Sequence, residues 1–186
     1  IKGTEMRPYA SLPWERVILF PYVHMDAKNG LIEESKLERG YPKAYAYLKK
    51  NERELRRRED GLMNHSGEWY SYTRNQALDV IGIPKLITPD LAPRSSFLID
   101  NTGELFFLGG AAGGYGILPK DDVDPLYLLG VLNSQLLNFF IASVGQQMES
   151  GYFSFEARFI RAAPIVRATT QNSGTKIQVV ENVSKI

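Results

Sequence analysis

The chain has no cysteine, which excludes disulfide bridges and thiolate metal sites and fits an intracellular, cytoplasmic setting. Histidine is nearly as scarce. His24 and His65 have no second ligand at metal spacing, which argues against a zinc centre. The formal net charge is only +1 over 186 residues, so any basic surface must come from uneven distribution of charge. Long apolar runs are missing too. The most apolar stretch, "PLYLLGVLNSQLLNFFIASVG", is interrupted by Gly130, Asn133, Ser134, Gln135 and Asn138, so it is too polar for a membrane span. No charged segment, apolar core and small-residue cleavage site follow Ile1, and the first methionine is Met6. The expectation is a soluble piece of a longer protein, with part of the activity lying outside it.

The signatures of nucleotide and acyl chemistry are also lacking. "GELFFLGGAAGGYGILP" (103–119) holds six glycines, yet Tyr115 and Gly116 follow the Gly109/Gly114 spacing where a phosphate-binding loop needs lysine and a hydroxyl. Gly114 and Gly116 begin a dinucleotide fingerprint that Pro119 breaks. The run reads either as a tight connection between strands or as a loop where backbone passes close to a bulky ligand. In the second case Gly110, Gly113 and Gly114 make the approach with Tyr115 at the tip. No Gly-x-Ser-x-Gly elbow occurs, and no acid two residues before a lysine follows Pro89-Asp90 as a nuclease set requires. Asp121, Asp122 and Asp124 read as a solvated turn and helix cap. No catalytic residue, metal ligand or cofactor is expected in this chain.

What is present points to an α+β fold, a multi-stranded mixed or antiparallel sheet flanked by two prominent helices at about 42–58 and 125–143. Strands are expected in "ERVILFPYV" (15–23), "GEWYSYTR" (67–74), "PKLITPDL", "SFLIDNTGELFFLGG" and "YGIL", with turns at Asn29-Gly30 and "DNTG". Pro42 and Pro125 sit in first-turn positions, and Asp124 is an N-cap. From about Ala168 the chain turns polar, a tail or linker over 168–186 with one late strand in "KIQVV", after a domain spanning 1–167.

Charge is uneven in one place. From Lys36 to Asp60 there are nine Lys or Arg against five Asp or Glu, a local excess of +4. In "ELRRRED" the arginines can pair with Glu52, Glu54 and Glu59 as a solvated helix end, or meet an anion. "WYSYTRNQ" follows, with half of its aromatics expected in the core. Arg, Lys, Asn, Gln and Tyr near turns are the types that contact phosphates and base edges, so nucleic-acid binding is one option among several.

The order of the segments narrows the choice. "IKGTEMRPY", "VILFPY", "YPKAYAYLKKNERELRRR", "EWYSYTR", "PKLITPDL", "FLID", "LYLLGVLNSQLLNFFI" and "APIV" resemble, in that order over roughly residues 1–166, the TaqI-like C-terminal specificity domain. That family supplies the target recognition domain of adenine-specific DNA methyltransferases, including fused type II restriction–modification enzymes. The resemblance implies double-stranded DNA as partner and an upstream methyltransferase domain in the same polypeptide. That domain would bind S-adenosylmethionine and hold a flipped adenine in an Asn/Asp-Pro-Pro-Tyr/Phe loop. This chain has no Pro-Pro pair, so it is expected not to be the catalytic part. The family does not fix which residues read bases. By side-chain type, Arg74, Asn75, Gln76, Lys85 and Arg94 are candidates for base edges, and Lys43, Lys50, Arg53 and Arg57 for phosphates. The alternative is a module for a partner protein or single-stranded nucleic acid, which calls for exposed aromatics as a stacking platform.

Overall fold

The computed structural model describes residues 1–10, 16–25, 28–110, 113–167 and 173–186, and its fold is α+β. The chain divides into two units, Val17–Ile81 and a larger one formed by Ile1–Arg16 with Gly82–Ile186.

In the smaller unit, β1 (Tyr22–Met25) and β2 (Lys28–Leu31) form an antiparallel hairpin with Tyr22 opposite Leu31 and Met25 opposite Lys28. Asn29 and Gly30, expected at the turn, lie in β2, and the connecting residues 26–27 fall outside those described. The strand expected over 15–23 begins only at Tyr22. Described residues 16–20 join no ladder, and Val17 is 89% exposed, because a β-rich run without a partner strand has nowhere to bury.

Four short helices follow, α1 (Glu34–Gly40), α2 (Pro42–Lys50), α3 (Glu52–Arg56) and α4 (Arg58–Gly61), with α5 (Leu78–Ile81) closing the unit. Pro42 opens α2, where its missing N–H costs nothing. The helix expected over 42–58 is thus two pieces meeting at Asn51, whose side-chain amide donates to the Tyr47 carbonyl at 2.7 Å. It stops at Arg56 because Glu59, Asp60 and Gly61 all take positive φ, making α4 a left-handed turn. The core is Leu37, Leu48, Trp69 and Tyr70, with Leu31, Ile32, Tyr45 and Leu55 packed around it.

"GEWYSYTR" is a succession of turns instead of the expected strand. Trp69 and Tyr70, adjacent in sequence, are both buried without belonging to a ladder. Instead of a ladder, the Arg58 guanidinium donates to the carbonyls of Trp69 (2.9 Å) and Ser71 (2.8 Å), and the Tyr70 hydroxyl donates to Ile32 O.

The larger unit is built on β3 (Lys85–Pro89), whose five residues are all buried. Next in sequence come β4 (Leu91–Ala92), β5 (Leu98–Asp100) and β6 (Gly114–Ile117), and β3 pairs antiparallel with β5 and β6 to give the order β5-β3-β6. Strand alternation sends Leu86 to one core and Ile87 to another. Leu86 packs with Phe97, Leu128, Leu129, Leu132, Leu137, Ile141 and Phe155, while Ile87 joins Leu98 and Met6.

The first core is covered by α6 (Pro125–Leu132) and α7 (Gln135–Val144), which are bent by 59° relative to each other. Asp124 caps α6 by accepting from Leu126 and Tyr127 N–H, and Ser134 caps α7. The break at Asn133-Ser134 makes two helices of the one expected over 125–143. Its polar residues hold the strands in place. The Asn133 amide exchanges two hydrogen bonds with the Phe97 backbone (2.8 and 2.9 Å), as a neighbouring strand would. Asn138 accepts from Ser95 N–H.

A two-stranded ladder pairs β4 with β7 (Phe153–Ser154), and α8 (Ala157–Ile160) follows. The strand expected in "KIQVV" is instead part of α9 (Ser173–Val183), packed against α6 where Gly130 leaves no room for a side chain beside Val179 and Val183. Among the described residues no single helix is long and apolar enough to cross a membrane.

Candidate nucleic-acid interface

The cations of the smaller unit fall into two groups. Lys49, Arg56 and Arg58 are bound to the fold. Lys49 pairs with Glu52 (2.9 Å) and Glu34 (3.4 Å), and Arg56 pairs with Glu52 (2.7 Å). The two side chains stand over the Trp69 ring at 5.1 and 5.6 Å. Glu52 holds the Lys49 ammonium above its ordinary range, and Lys49 with Arg56 holds the Glu52 carboxyl below its own. Arg56 also donates to the carbonyls of Met63, Asn64 and Ser66.

Lys43, Lys50, Arg53 and Arg57 form the second group. All four are exposed, and none has an ion-pair partner within 4 Å among the described residues. Lys43 and Lys50 lie on α2 seven residues apart, two turns along one side of that helix, while Arg53 lies in α3 and Arg57 directly follows it. Tyr47, which sequence reasoning passed over, lies on that side too, four residues beyond Lys43 and 62% exposed. The i, i+4 spacing was the signal that marked it.

Arg74, Asn75 and Gln76 are exposed in the same unit. Arg74 Nε lies 3.6 Å from Glu59 Oε1, which ties this segment to the turn that carries Arg57. Glu59, expected to pair with the arginines of "ELRRRED", meets Arg74 at the left-handed turn instead.

The remaining candidates belong to the larger unit. Arg94 is exposed. Lys85 is not available to a base edge: its ammonium is buried on Asp100 at 2.7 Å, at the end of the β3–β5 ladder. Asp100 also accepts from the N–H groups of Gly103, Glu104 and Leu105, so "DNTG" is a turn organised by a buried carboxylate.

The glycine run proves to be internal architecture over its second half. A Cβ on Gly113 would overlap the Leu108 carbonyl, and one on Gly114 the Thr88 carbonyl, so these buried glycines let backbones of this chain meet. Gly114 N–H donates to Leu108 O, and Asp90 N–H to Gly113 O. Tyr115 is half-buried in β6 instead of standing at a tip, its hydroxyl pushed up by burial and by the charges of Asp90 and Glu156. Gly110 alone of the four is exposed, at φ +73°, and Ala111 and Ala112 lie outside the described residues. Asp90 is itself buried with no hydrogen-bond partner for Oδ1 among the described residues, and burial followed by Glu156 raises its carboxyl above the ordinary range.

The stacking platform that the alternative reading calls for is not supplied by "WYSY". Trp69 and Tyr70 are buried, and Tyr72 packs against Phe20 and Tyr22 with centroids 6.0 and 5.3 Å away. Among the described residues no three of His, Asp or Glu converge as metal ligands would.

No family model matches the chain. One curated protein similar to it is the type II restriction enzyme and methyltransferase RM.Eco57I of Escherichia coli, 29% identical over 135 residues, a match covering 69% of this chain and 13% of that protein. The chain therefore spans a small part of that relative's length. The similarity supports a relationship to restriction–modification proteins.

Proposed function

We propose that the chain is a sequence-specific double-stranded DNA recognition domain of a restriction–modification N6-adenine methyltransferase. In this reading the methyl transfer from S-adenosylmethionine takes place in a domain outside this chain, and the chain chooses the site. The observation that carries it is the exposure of Lys43, Lys50, Arg53 and Arg57, without an ion-pair partner among the described residues, in the unit that also exposes Arg74, Asn75 and Gln76. Backbone contacts fix register and orientation, while Arg, Asn and Gln side chains suit the donor/acceptor code of the major groove. The similarity to a fused restriction enzyme and methyltransferase supports the same reading.

Fluorescence anisotropy with a randomised duplex pool, across a salt series and followed by sequencing of the retained DNA, tests it. Four phosphate contacts predict a slope of log affinity on log salt of about −3 to −4. An enriched short motif is expected alongside that slope. Binding without enrichment would reduce the chain to a non-specific clamp. An equal preference for single strands would favour the stacking module.

A further inference from the structure

We propose that Arg74 and Glu59 together read a single G·C base pair, Arg74 donating to guanine O6 and N7 and Glu59 accepting from the cytosine amino group. The inference rests on the DNA-recognition reading above and names what that surface recognises.

The pair differs from the other exposed charges of its unit. Lys43, Lys50, Arg53 and Arg57 have no carboxylate within ion-pair distance among the described residues, which suits a phosphate. Arg74 has Glu59 at 3.6 Å, and a carboxylate there repels a phosphate oxygen. A G·C edge has no such conflict. In the major groove it presents two acceptors on guanine beside one donor on cytosine, and a guanidinium beside a carboxylate is the complement of that pattern. Guanine O6 and cytosine N4 are hydrogen-bonded to each other, hence about 3 Å apart, comparable to the spacing of the two side chains.

Geometry leaves both groups free to act. The side chains are 80% and 45% exposed, and Glu59 approaches Arg74 through Nε. The two Nη groups have no partner among the described residues, so the forked edge remains open for a bidentate contact. Glu59 is presented by a backbone that L residues seldom adopt, with φ +49° at Glu59 and +57° at Asp60, closed by Gly61 at +87°. A continuing α3 would have carried residue 59 elsewhere.

The experiment is site selection by the full chain from a randomised duplex pool, for the unaltered protein and for Arg74→Ala, Glu59→Gln and the double variant. Anisotropy on the selected duplex, and on one with the G·C pair changed to A·T, supplies the discrimination ratio. Both single variants should relax the same base pair, each losing about tenfold or more in discrimination, and the double variant should lose little further. Unfolding midpoints should stay within error of the unaltered chain, since exposed pairs of this kind contribute little to stability. Glu59→Gln tightening binding to every duplex with the motif intact would make Glu59 a mere counter-ion and overturn the pairing. So would relaxation of two different positions by the two single variants. If the unaltered chain enriches no motif, the recognition reading fails first, and the pairing fails with it.

Discussion

Lys85 and Lys50 are the same residue type put to opposite uses, and the contrast separates the two units. Lys85 lies in the central strand β3, where every residue is buried, and its charge is neutralised by Asp100 within the sheet. Lys50 ends α2 in the smaller unit, exposed and without an ion-pair partner among the described residues. The larger unit has apolar layers on both faces of its sheet and uses buried polar groups, Asp100, Asn133 and Asn138, to organise turns and strand edges. The smaller unit has a core of four buried side chains and relies on cations, some gripping carbonyls and others left to solvent. A positive charge is thus a structural element in one place and an offered contact in another. What decides is whether carboxylates or carbonyls of the chain already occupy it.

The largest effect should come from breaking the buried pair. Lys85→Met leaves Asp100 charged and buried, and should cost about 3–5 kcal/mol in urea unfolding at pH 7. The acid response checks the assignment. Burial pushes the Asp100 carboxyl up, but the bonds from Lys85 and from the N–H groups of Leu105 and Gly103 outweigh it and hold the carboxyl below its ordinary range. Its contribution is therefore complete above the unfolded value of about 4 and is lost as pH falls through the lower folded value. The unaltered chain should lose stability below about pH 4, and Lys85→Met should lose less there. Equal acid sensitivity in both would contradict the role given to the pair.

Arg58→Ala comes next. It removes donors to the Leu55, Trp69 and Ser71 carbonyls, and a loss of about 1.5–3 kcal/mol is expected, with Trp69 fluorescence shifting as that segment loosens. A loss confined to a few tenths would mean that the segment is held by Trp69 burial alone.

A gain is expected at Asp90, within the larger unit and opposite in sign to Asp100. Its folded carboxyl is raised above the unfolded value by burial and then by Glu156. The stability attached to it is present below the unfolded value and lost as pH rises through the folded one. Asp90→Asn should raise the melting temperature at pH 7 and leave it nearly unchanged at pH 3. A fall at pH 7 would show that Oδ1 has a partner after all.

The sequence made legible those elements whose signals are local. Pro42, Asp124 and Pro125 mark helix starts by removing or capping N–H groups, and α2 and α6 begin there. "KLITP" and "YGI" are apolar enough to be strands in any context, and β3 and β6 follow. Elements settled by distant partners were not legible. "WYSY" has strand composition, but its carbonyls are taken by Arg58 from eleven and thirteen residues away. "KIQVV" is β-rich and becomes helical against Gly130. For the site, side-chain type and helical spacing pointed to Lys43, Lys50, Arg53 and Arg57, and the structure leaves those four exposed. The same reasoning failed for Lys85, because nothing local announces Asp100 fifteen residues later as its partner. Glu59 was legible as a partner for neighbouring arginines but not for Arg74, because nothing local announces the left-handed turn that places it there.

The smallest effect on stability, and the sharpest probe of the division, lies one residue from Arg58. Arg57 is exposed and has no ion pair among the described residues, so Arg57→Ala should change unfolding free energy by no more than about 0.5 kcal/mol. On duplex DNA it should act where Arg58→Ala does not, weakening all sequences alike and reducing the salt slope by about 1. A steeper variant, Arg57→Glu, should weaken them further while leaving any selected motif unchanged. If Arg57→Ala destabilises the unit as Arg58→Ala does, the two arginines share one structural role and the set of cations offered to phosphate is smaller by one. If it leaves the salt slope untouched while the motif changes, Arg57 belongs with the base-reading residues and the boundary between positioning and reading moves to the end of α3.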